Sequence, residues 1–173
     1  LTASGARFGF GPTLPHILGV VVGVGVTAGL TGLGVGAALA AAGPGLETAL
    51  KLAACGWILW MAWKLWQSSA AGGVRQEGDR PFTFVEAVLF QWVNPKVWAV
   101  AMAAAAGYGA GLGPMGEAQR LATAFSGLNL FVCLFWTLAG AALAYLLTTP
   151  RAWRIFARIM ASGLAVSAVM VFL

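Results

Sequence analysis

The sequence predicts an all-α, polytopic helical membrane protein, and three observations lead there. Of 173 residues, 60% are hydrophobic and only 9% are charged, whereas a soluble domain carries roughly 25% charged residues. Mean hydropathy is +0.86. Apolar runs also recur along the chain, and each crossing needs about 20 such residues, so five spans fill it and leave no room for a soluble catalytic domain. The expected organisation is a single transmembrane domain over residues 1–173, with spans at 17–42, 50–66, 84–107, 121–147 and 153–173.

The run 17–42 follows His16, which reads as an interfacial residue, and its glycines are paired as Gly19 and Gly23, Gly25 and Gly29, Gly32 and Gly36. A glycine in a helix interior costs up to about 1 kcal/mol relative to alanine. Paired at this spacing, glycines let neighbouring helix backbones approach closely, so tight packing explains them. A smooth face lining a narrow pathway is the functional alternative. The run 50–66 carries Trp57, Trp60, Trp63 and Trp66 at a spacing of three, with Lys64 beside the last two. Indoles next to a cation fit the inner membrane interface.

The run 84–107 holds the most informative residues: Gln91, Asn94, Pro95 and Lys96. Entering from the cytoplasm at Phe84, Lys96 is twelve residues in, roughly 18 Å at 1.5 Å per residue, close to the middle of a hydrocarbon core about 30 Å thick. A lysine there costs at least about 2.5 to 3.5 kcal/mol. Pro95 has no N–H for the Gln91 carbonyl four positions back, and Asn94, preceding a proline, is biased away from the helical region. A broken helix is therefore expected, with freed carbonyls, an amide and an ammonium at one depth. Such backbone is tolerated only inside protein or along a cavity, and midplane breaks build the sites of many secondary transporters. The bland alternative is a structural kink with Lys96 snorkelling to an interface.

The run 121–147 places Asn129 nine residues beyond Arg120, about 13 Å in, at nearly the depth of Lys96 and flanked by Ser126 and Thr137. An interhelical hydrogen bond competes with a ligand role there. The run 153–173 is interrupted near its start by Arg154 and Arg158.

Basic residues accumulate in cytoplasmic loops. With the N-terminal end inside, the cytoplasmic side holds Arg7, Lys64, Arg75, Arg80, Arg151, Arg154 and Arg158, and the other side only Lys51 and Arg120. That bias supports an odd number of spans and an outward C-terminal end. It is also the reason the net charge of +5 is not read as a nucleic-acid surface. Glu47, Glu77, Asp79, Glu86 and Glu117 all fall in loops or near helix ends, which removes the commonest proton-relay residues from the spans. Cys55 and Cys133 stand alone as packing residues. Neither a nucleophile–base pair nor a metal-ligand cluster nor a phosphate-binding loop is visible, so no enzyme, metal or cofactor is expected. The start LTASGARFGF carries no cleavable leader pattern.

Three segments carry a family resemblance. SGARFGFGPTLPHILGVVVGVG resembles the Gly-x-Arg-x-Gly segment and Gly-rich second helix of the LysE/RhtB amino-acid exporters. LKLAACGWILWMAWKLW is similar to that family's third helix, although Trp57, Ile58 and Leu59 stand where a Tyr-Leu pair is usual. FVEAVLFQWVNPKVWAV resembles its fourth helix, with the Asn-Pro-Lys motif. The resemblance covers essentially the whole chain. It implies a multi-pass inner (plasma) membrane protein of bacteria with six helices, the first of which, ending in a Pro-Gly-Pro-type motif, has no counterpart in this sequence. It further implies export of amino acids or close analogues against protons. Gly5 and Arg7 then join Gly19, Gly23, Gly25 and Gly29 as helix-packing or pathway residues, and Gln91, Asn94, Pro95, Lys96 and Asn129 are the candidate substrate contacts. The expected partners are an amino acid and the lipid bilayer, with a homodimer left open. The competing reading is a membrane assembly subunit that uses its Gly-rich faces without transporting anything.

Overall fold

A computed structural model describes residues 1–70 and 79–170. Among them the chain is helical, with no strand: α1 Thr2–Phe8, α2 Phe10–Gly32, α3 Val35–Ala41, α4 Pro44–Ala70, α5 Phe84–Val93, α6 Pro95–Gly107, α7 Pro114–Leu143 with a 3-10 turn Ala144–Leu146, and α8 Pro150–Val169. Arg75 and Glu77, and the last three residues of the expected fifth span, lie outside the described residues.

Among the described residues three helices, not five, are long and apolar enough to cross a membrane: Phe10–Gly32, Pro114–Leu146 and Pro150–Val169. The two corrections have different causes. α4 has 27 residues and ample length, but its four tryptophans, two lysines and polar last turn dilute the apolar character of the expected 50–66 span. The expected 84–107 span is divided into helices of 10 and 13 residues, roughly 15 and 20 Å long, each too short alone for a core of about 30 Å.

The boundaries of the other runs also move. α2 begins at Phe10, not near residue 17, because the first four N–H groups of a helix have no partner within it, so Pro12 in the first turn forfeits nothing and Pro15 only one bond. It ends at Gly32, since Gly34 has φ +94°, a conformation open to glycine and costly for other residues. Residues 35–41 therefore form a separate helix, and Gly32 and Gly36 do not share one. α1, absent from the sequence reading, is set off by Gly9 at φ +85°. α7 and α8 begin earlier than expected, at Pro114 and Pro150, where proline suits the first helical position; the Thr149 side chain accepts from the Ala152 N–H at 3.1 Å.

Contacts fix the relative directions of the helices. A Cβ at Gly19 would meet Phe84 and Ala87, and one at Gly23 would meet Val88 and Gln91, so α2 and α5 run parallel. Gly25 faces Ser126 while Gly32 faces Ala118, so α7 runs antiparallel to α2. Ala28, Ala101 and Leu121 close a small core among α2, α6 and α7. α8 lies antiparallel to α4: Trp153 Nε1 donates to the Ser68 carbonyl at 3.3 Å, and a second core joins Ala6, Leu65, Trp153, Phe156, Ala157 and Ala161. α1 packs on α7 through Gly5 and Gly140, each set against the other helix's backbone.

Arg7 pairs with Asp79 and Arg80 with Glu86 at 2.6 Å, at the end of the bundle where α5 begins. Arg120 pairs with Glu117 at 2.7 Å where α7 begins. These pairs contribute little each where exposed, but Arg7 and Asp79 tie α1 to the segment leading into α5. Large apolar side chains face outward on α7, with Leu128 70% and Phe131 72% exposed.

Candidate functional site

The break between α5 and α6 has the geometry the sequence calls for. Asn94 takes φ −80° and ψ 104°, outside the helical region. Its Oδ1 accepts from the Lys96 backbone N–H at 3.1 Å, so it ends α5 and caps α6, with Pro95 at the first position of the new helix. Trp98 Nε1 donates to the Trp92 carbonyl at 2.9 Å. One carbonyl released at the end of α5 is thereby satisfied by a side chain from α6, which holds the two short helices in a fixed relation.

The break opens onto a cavity of about 750 Å³ bounded by α4, α6 and the end of α8. Its polar groups are Asn94, Lys96, Lys51 and Ser167, with the Trp98 indole beside them, and Leu50, Ile58 and Met102 supply apolar wall. A cavity of this size, mostly apolar with a few convergent polar groups, suits a small molecule. Among the described residues the Lys96 ammonium has neither an acid nor a hydrogen-bond acceptor. The site therefore offers a positive charge and an amide N–H, a pair that complements a carboxylate, while the Ser167 hydroxyl donates to the Leu164 carbonyl at 2.8 Å.

The five candidate contacts divide. Asn94, Pro95 and Lys96 come together around this cavity. Gln91 is buried against α2, where its side chain packs against Gly23 and its Nε2 donates to the Ala87 carbonyl at 3.3 Å. Asn129 sits on α7, where its Oδ1 accepts from Cys133 Sγ at 3.2 Å, and does not line the cavity. Gly19 and Gly23 face α5, and Gly25 and Gly29 face α7, where they also line a groove of about 440 Å³. Gly5 faces α7 and Arg7 holds Asp79.

Lys51 and Ser167 are cavity residues that the sequence reading passed over. Lys51, expected in an outer loop, stands instead about two turns into α4. Ser167 carries no signal in the sequence, because it reaches the cavity only through the antiparallel packing of α8 on α4. Trp57 turns inward to Phe82 and Phe90, with ring centroids at 6.2 and 5.6 Å; Trp60 also reaches Phe82, at 6.0 Å, but stays partly exposed, as do Trp63 and Trp66.

Compared with protein-family models, characterised proteins and solved structures, the chain has no match in any of the three.

Proposed function

We propose that the chain is a multi-pass protein of the bacterial inner membrane, of LysE/RhtB type, and that it acts as a secondary transporter exporting amino acids or close analogues, driven by the proton gradient. The observation that carries this reading is the cavity at the Asn94–Pro95 break, where the Lys96 ammonium stands without a partner among the described residues. In this reading Lys96 holds the substrate carboxylate, Asn94 and the α6 N-terminus reinforce it, and the apolar wall accepts the side chain. Three span-length apolar helices and the outward apolar face of α7 support placement in a bilayer. α4 and the α5–α6 pair would complete five crossings, with α8 packed along one face of α4.

Pro95→Ala tests this. Alanine restores an N–H to the Gln91 carbonyl and lets α5 run on into α6, closing the site, so expression should stay near normal while labelled amino-acid efflux from loaded cells falls severalfold or more. Efflux at the wild-type rate with equal protein level would reduce Pro95 to a kink.

One observation favours the second reading, an assembly subunit. The groove lined by Gly25 and Gly29 between α2 and α7 has the smooth floor on which another helix could seat. That reading leaves the polar cavity at Lys96 without a purpose.

A further inference from the structure

α8 carries three arginines on one face. Arg151, Arg154 and Arg158 follow one another at spacings of three and four, so they stand one above another on successive turns, and all three are exposed. None has an acidic partner among the described residues. Arg158 is eight residues beyond the start of α8, roughly 12 Å along the helix, in a helix apolar enough to cross a membrane. Its guanidinium lies over the exposed Trp66 ring of α4, 5.3 Å from the centroid. A cation–π contact recovers part of the cost of that position but brings no negative charge. Beside the arginines, on the same side of α8, Ile155 and Ile159 are 52% and 59% exposed.

We infer that this face binds the headgroup of an anionic phospholipid of the inner leaflet, its phosphate held by Arg154 and Arg158 beside Trp66 and its acyl chains lying along Ile155 and Ile159. The inference rests on the membrane reading given above. Charge complementarity selects an anion, guanidinium geometry suits a phosphate, and indoles favour the headgroup level. Exposed isoleucines one step around the helix select a ligand with hydrocarbon attached. An acidic protein in the cytoplasm would meet Arg151, but Arg158 lies two turns deeper, where a lipid phosphate drawn into the interface reaches it.

The test uses the full chain purified in detergent and offered equal amounts of phosphatidylglycerol and phosphatidylcholine, with bound lipid counted by native mass spectrometry. The wild type should prefer phosphatidylglycerol. A basic residue near the membrane contributes about fivefold to anionic-lipid affinity, so Arg154→Gln with Arg158→Gln should weaken that binding roughly twentyfold to thirtyfold, whereas the paired lysine variant should keep most of it. Should the double glutamine variant not fold, Arg154→Gln alone should still show about the fivefold loss. Equal binding of the two lipids by the wild type, or an undiminished preference in a folded glutamine variant, would overturn the site. Washing membranes at alkaline pH separates this from the parent reading: retention of the chain with no lipid preference removes the lipid site alone, and release of the chain removes both.

Discussion

Lys96→Met should be made and inserted at the wild-type level yet handle its substrate far more weakly. Methionine keeps most of the apolar stem and removes only the charge. Were the ammonium a burden without use, its removal would relieve the cost of a charge in the membrane and leave function intact. If Lys96 holds the substrate carboxylate, a charge-assisted contact of about 1.5 to 3 kcal/mol is lost, which weakens binding roughly tenfold to a hundredfold. Lys96→Arg should rescue only partly, because a planar guanidinium is not interchangeable with a compact ammonium. The assay is protection of cells from a toxic amino-acid or dipeptide load, scored at equal protein level. Full protection by the methionine variant would move the substrate contact away from Lys96.

The second large effect is structural. Gly19→Leu should destabilise the bundle, because a Cβ at Gly19 would fall on the Phe84 carbonyl oxygen and come within 2.7 Å of Ala87 Cβ. The obstruction is backbone, which cannot rotate aside, so α2 and α5 must separate. Overpacking costs about 1 to 3 kcal/mol, and the loss of close α2–α5 contact draws Gln91 out of its burial. Gly56→Leu is the control, since nothing lies near a Cβ there. The measurement is the thermal midpoint of the detergent-solubilised protein: a clear drop for position 19 and little change for position 56. Equal midpoints would mean that the α2–α5 contact is looser than it stands here.

The break at Asn94 was legible because its causes are local: a missing N–H, a ring and a pre-proline residue act on the same few bonds wherever they occur. The use of Gly19, Gly23, Gly25 and Gly29 as contact points was legible for the same reason, since small residues four apart leave a flat strip on any helix. Which helix meets which strip was not, because it depends on the whole bundle. Sequence spacing puts the Gln91 carbonyl, Asn94, Lys96 and Asn129 at similar depth, but depth is one coordinate of three. Gln91 turns to α2 and Asn129 stays on α7, so only Asn94, Pro95 and Lys96 share the cavity, joined by Lys51 and Ser167 from helices far away in the chain. The count of spans failed where hydropathy and length part: α4 has length without sufficient apolarity, and α5 and α6 have apolarity without length.

Transport itself is tested most directly by reconstitution. Purified chain in proteoliposomes loaded with a mixture of labelled amino acids should release at least one of them faster than empty liposomes when a proton gradient is imposed, and dissipating the gradient should slow that release. No release of any amino acid above the liposome background, from protein shown to be folded and inserted, would contradict the transporter reading and leave the Gly-lined groove of an assembly subunit as the better one.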